Sequence, residues 1–127
     1  MSGAVVTMMS KTQLVSSFTQ GPGQAVDAGN FVNASIQVWV YGLAGSDSLD
    51  VYLEQSTLNE DDAYVDYQGS AGASGAILSI NSSGGNSSTA IANVDGFARF
   101  LRLRLDASNV TSNQYEVRAQ IILRTSS

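Results

Sequence analysis

The chain predicts an all-β fold: a single antiparallel β-sandwich, jelly-roll or immunoglobulin-like, of about eight strands. Three observations predict it. Short runs alternating apolar and polar residues recur along the chain, and period-two alternation marks a half-buried strand, because successive side chains point to opposite faces of a sheet. Clusters of Gly, Ser, Asn and Asp, all turn formers, separate the runs. Charged residues make up only 13% of the 127 residues, whereas long solvated helices need Glu and Lys on their exposed faces.

From the amino terminus, residues 4–9 and 12–18 are two alternating pieces. Gln20-Gly21-Pro22-Gly23 follows as a turn and holds the only proline. Residues 1–20 are therefore expected to form an amino-terminal arm or first strands, with the sandwich domain spanning 21–127. The clearest strand is 31–41, with Ile36, Val38 and Val40 on one face and Gln37, Trp39 and Tyr41 on the other. After a turn-rich loop, residues 49–55 place Leu49, Val51 and Leu53 inward, with Asp50, Tyr52 and Glu54 outward. Two such runs joined by a Gly-containing loop predict an antiparallel hairpin, with Trp39, Tyr41 and Tyr52 on one face. Residues 63–67 and 76–80 read as short strands flanking a small-residue loop. Asn81 to Ser88 reads as the most flexible surface loop. Strands then follow at about 89–94, 98–105 and 114–124. Leu101, Leu103 and Leu105 should face the core, leaving Phe100, Arg102 and Arg104 on the other side.

The net charge is −5, which argues against non-specific nucleic-acid binding by the whole domain. All five arginines lie in the last 29 residues, and seven of eleven acidic residues lie between 47 and 66. That segregation suits either a head-to-tail contact between identical subunits or two ordinary solvated faces. With neither Cys nor His in the chain, disulfides, the usual zinc sites and His-based catalysis are excluded. Carboxylate pairs such as Asp61 with Asp62, or Asp50 with Glu54, could serve a glycosidase, yet nothing else in the sequence resembles catalytic equipment, so no enzyme activity is expected. Asn59-Glu60-Asp61-Asp62 lacks the alternating order of a calcium loop and reads as a solvated turn. No cofactor and no metal are expected. Residues 1–9 lack a basic n-region and a long apolar h-region, so no signal peptide is expected and the protein should stay in the cytoplasm where it is made. No stretch nears the roughly 20 apolar residues of a membrane span, and no membrane partner is expected. Four Asn-x-Ser/Thr triplets, at Asn33, Asn81, Asn86 and Asn109, read as chance in an Asn- and Ser-rich chain.

Two clusters are candidates for contact. Trp39, Tyr41 and Tyr52 could be covered within the subunit, form an oligomer interface, or stack on sugar rings. Arg102 and Arg104 on one strand, with Arg118 and Glu116 on the matching face of the next, could be cross-strand pairs or reach an acidic neighbour. With Phe100 beside them, the interface candidates are Trp39, Tyr41, Tyr52, Phe100, Arg102, Arg104 and Arg118.

The layout from about residue 30 to residue 124 resembles the small β-sandwich structural proteins of tailed bacteriophages, which include capsid decoration (cement) proteins and other minor virion proteins. The resemblance is carried by Leu49-Asp50-Val51-Tyr52-Leu53-Glu54-Gln55-Ser56 and, later, Gly96-Phe97-Ala98-Arg99-Phe100-Leu101-Arg102-Leu103. The chain departs at Thr57 to Tyr64, where many relatives carry an Asp-Gly turn and a Trp. What the resemblance implies is a virion-located protein that binds the major capsid protein or other virion proteins, often as a homotrimer. The rival expectation is a carbohydrate-binding module or receptor-binding tip that uses the same aromatics.

Overall fold

The structure, a computed structural model, describes residues 3–43, 47–68, 75–81, 87–108 and 114–125. They form ten strands: β1 (Gly3–Leu14), β2 (Phe18–Thr19), β3 (Val26–Asp27), β4 (Asn33–Tyr41), β5 (Ser48–Ser56), β6 (Val65–Asp66), β7 (Leu78–Asn81), β8 (Ser87–Asp95), β9 (Phe100–Ser108) and β10 (Tyr115–Arg124). Two antiparallel sheets result. The first has the order β1-β10-β4-β8. The second centres on β5 and β9, with β6 and β7 pairing along the outer edge of β5 and β2 and β3 along that of β9. The expected all-β sandwich is the fold observed.

The core lies between the sheets and is made of the residues that alternation turned inward. Ile36, Val38, Val40, Leu49, Val51, Leu53, Leu101, Leu103, Leu105, Val117, Ala119, Ile121 and Leu123 are buried there. Burying a Val, Leu or Ile side chain contributes about 1.5–3 kcal/mol, so these stripes dominate the stability of the fold.

Two expectations fail for identifiable reasons. Residues 4–9 and 12–18 are not two separate pieces: one strand, β1, runs from Gly3 to Leu14, and its register with β10 shifts between Thr7 and Met9 and again between Met9 and Thr12. Such irregularities let consecutive side chains share a face. Met8 and Met9 are accordingly both buried, which breaks the alternation and splits the pattern when read as sequence. The hairpin of 31–41 with 49–55 does not form either. β4 pairs with β10 and β8, and β5 with β9, β7 and β6. Each strand needs an apolar face, but that face does not choose its partner. At the end of β4, Gly42 takes φ of +101°, and a Cβ there would sit 3.0 Å from the Gln114 carbonyl oxygen. Glycine thus permits the turn through which the chain leaves the first sheet for the second. The loop expected to be most flexible, 81–88, falls mostly at 82–86, outside the described residues.

Candidate functional site

With β4 and β5 in different sheets, the seven candidate residues divide between the two outer faces of the sandwich. Trp39, Tyr41 and Tyr52 do not share a face. Nor do Arg102 and Arg104 face Arg118 and Glu116, because β9 and β10 also belong to different sheets.

On the outer face of the second sheet, Glu54 stands directly opposite Arg102, and Tyr52 opposite Arg104. Glu54 accepts a hydrogen bond from Arg102 Nε at 2.8 Å and one from Arg104 Nη1 at 3.0 Å, one on each carboxylate oxygen. Arg102 Nη1 also donates to Asp61 at 2.7 Å, and Arg104 Nη1 to Asp66 at 2.6 Å. The Arg102 guanidinium lies 4.1 Å from the centre of the Tyr64 ring, and that of Arg104 lies 4.1 Å from the Tyr52 ring. Only 7% of the Arg102 side chain remains exposed. Burial works against the Arg102 charge, but Asp61 and Glu54 outweigh it and hold its pKa above that of free arginine. The arginine stripe is therefore no basic patch. Seven carboxylates on or beside this sheet (Asp50, Glu54, Glu60, Asp61, Asp62, Asp66 and Asp106) outnumber Arg102 and Arg104 and account for the whole net charge of −5. The acidic block between 47 and 66, expected to lie apart from the arginines or to await a neighbouring subunit, supplies their partners within the chain. At the start of β9, Arg99 pairs with Asp27 at 2.9 Å and lies over the Phe100 ring at 4.9 Å.

The outer face of the first sheet is different. Across β10 and β4, Arg118 stands opposite Trp39, and Glu116 opposite Tyr41. The Arg118 guanidinium lies 4.1 Å from the centre of the Trp39 ring. Among the described residues Arg118 has no ion pair, and its buried Nε has no hydrogen-bond partner. Leaving a buried donor unsatisfied costs about 1–3 kcal/mol. Lys11, Trp39, Val40, Tyr41, Glu116 and Arg118 line a notch of about 200 Å³. Farther along the same face Val5 stands opposite Ile122, and Val5, Ile122, Ile91 and Tyr41 are all exposed. Between them runs a polar ladder: Gln37 donates to Thr89 at 3.3 Å, and Arg124 to Asn33 at 3.1 Å and Ser35 at 2.8 Å. β1 closes this sheet as an edge twelve residues long. Among the described residues no strand pairs along its outer side, and its Met8 carbonyl accepts from Gln20 Nε2 at 2.7 Å.

Sequence reasoning missed Glu54, Tyr64, Lys11 and Gln20. The sequence marks Glu54 as outward and as a carboxylate pair with Asp50, and only the register of β5 against β9 reveals it as the hub of two arginines. Gln20 fell within a turn signal, yet it is buried and ties β1 to β9 through three hydrogen bonds. Among the described residues, no group of three or more acidic side chains is placed to hold a metal ion.

No protein-family model matches the chain, and no curated relative does. Solved structures do match. The chain is similar to VP2 of the infectious bursal disease virus subviral particle, with a TM-score of 0.62 at 8% identity over 96% of this chain and 32% of that one. It is similar to the PBSX exported protein XepA, with a TM-score of 0.55 at 13% identity over 98% of this chain and 38% of that one. It is also similar to the CBM22-1–GH10 modules of Clostridium thermocellum xylanase 10B, with a TM-score of 0.52 at 12% identity over 80% of this chain and 18% of that one. The likeness is one of fold. In each case this chain spans well under half of the larger protein.

Proposed function

We propose that this is a non-catalytic structural protein of a virus particle, a capsid decoration protein of the kind carried by tailed bacteriophages. In this reading it docks on the major capsid protein at capsomer junctions as a homotrimer, within the virion. The observation that carries the proposal is the outer face of the first sheet. Val5, Ile122 and Ile91 are exposed there beside an edge strand whose outer side pairs with no other described strand, and exposed apolar residues beside an open edge mark a surface built to be covered. The fold shared with VP2, taken from subviral particles, supports this reading. So does the second sheet, where Arg102 and Arg104 are both spent on carboxylates of the same chain.

The rival reading, a carbohydrate-binding tip, loses most of its rings to arginine. Tyr52, Tyr64 and Trp39 each carry a guanidinium on one face, which leaves that reading the exposed ring of Tyr41. To test the proposal, the purified protein is mixed with empty shells assembled from the major capsid protein of the particle it is proposed to decorate, and the shells are sedimented. Saturable binding at fixed stoichiometry, with a rise in shell melting temperature, is expected. Protein that stays in the supernatant, or that instead sediments with isolated tails, contradicts decoration.

A further inference from the structure

Three features meet in the notch between β1, β10 and β4. The first is unspent positive charge. Among the described residues Arg118 is the arginine with neither a carboxylate nor a hydrogen-bond partner, and its Nε is buried and orphaned. Lys11, on the rim beside it, makes no ion pair with a described residue. Two cationic donors so close together call for an anion, and a planar guanidinium suits a carboxylate best. The second feature is ring surface. Tyr41 is 54% exposed, while Trp39 on the same strand holds the Arg118 guanidinium over its ring, so Tyr41 offers the free ring face. The third is an acceptor. Glu116 lines the same space and accepts hydrogen bonds only, so an anion lacking donors of its own would be repelled there.

A ligand that satisfies all three must present, within the span of one small ring, a carboxylate, hydroxyl donors and an apolar ring face. We propose that the notch binds a hexuronate-type sugar, with the carboxylate on Arg118 and Lys11, a ring hydroxyl donating to Glu116, and the ring against Tyr41. A neutral sugar leaves the Arg118 and Lys11 charges without a counter-charge. A bare carboxylate makes no use of Tyr41 or Glu116. The site goes beyond the particle reading and does not depend on it, since the measurement needs only the free protein.

Trp39 is the single tryptophan of the chain, so its fluorescence reports the notch directly. The native protein is titrated with sodium glucuronate, with glucose, and with sodium acetate at matched ionic strength. A saturable change with glucuronate, at least about tenfold tighter than with glucose or acetate, is expected, because a charge-assisted hydrogen bond is worth that much. Lys11 is exposed, so Lys11→Met should fold normally and weaken glucuronate about tenfold. Arg118→Met, with its circular dichroism checked against the parent, should abolish the preference. Glucuronate binding no better than glucose or acetate overturns the proposal, as does wild-type affinity in both variants. Shell binding is unaffected by either result, so failure here leaves the particle reading standing.

Discussion

At the scale of single residues, the outward-facing charges act as structure. Glu54 holds Arg102 and Arg104, one on each carboxylate oxygen, and two tyrosine rings close over the guanidinium planes. Removing one partner of a buried pair strands the other, at a cost of about 3–5 kcal/mol. Arg102→Ala should therefore lower the unfolding free energy by about 3 kcal/mol in urea titration, and Glu54→Gln should also destabilise. A variant as stable as the parent would show the network to be idle. Gln20 works in the same way at the open side of the sandwich. Its side chain donates to the Met8 carbonyl and accepts from the Leu103 N–H, while its own N–H donates to the Leu103 carbonyl. Gln20→Ala leaves the Met8 carbonyl and the Leu103 N–H without partners and should cost about 1–3 kcal/mol by the same titration. Tyr115 sets a pH limit. Burial pushes its hydroxyl from 10.0 up to about 12, and that hydroxyl donates to the Ser16 carbonyl. The folded state thus favours the protonated form, so the contribution to stability is complete below pH 10 and disappears as pH rises toward 12. Urea titrations at rising pH should show this alkaline loss of stability, and Tyr115→Phe should remove it.

At the scale of elements, alternation is a strong signal for a strand and for which side faces inward, and a weak one for its partner. Leu101, Leu103 and Leu105, or Ile36, Val38 and Val40, could be assigned to the core from spacing alone. Sheet membership could not, because β4 and β5 satisfy the same pattern whether they pair with each other or cross between sheets. That one ambiguity separates Trp39 from Tyr52 and Arg118 from Arg102. It also hid the pairing of the acidic block with the arginines, since residues 38 to 50 apart in sequence meet only through the register of β5 against β9. Methionines 8 and 9 hid β1 in a similar way, by breaking the period where the strand changes register. Leu103, buried between the sheets, tests the core assignment: Leu103→Ala should cost about 2–5 kcal/mol. Val5 tests the outer face. It is exposed on the edge strand, so Val5→Lys should leave monomer stability within about 0.5 kcal/mol while reducing self-association and shell binding. Unchanged association would move the interface off this face.

At the scale of the whole molecule, the two faces of the sandwich differ in kind. One carries all of the net negative charge and has paired its arginines internally. The other is close to neutral, with exposed aliphatic side chains and an open edge. Association through the second face draws on apolar burial and edge pairing, so it should persist as ionic strength rises, whereas contacts between exposed charges are screened. The native mass, measured by light scattering over a wide range of protein concentration, tests the central claim most directly. The account predicts a closed homo-oligomer, a trimer, whose mass holds on dilution and in high salt. A monomer at every concentration would contradict it.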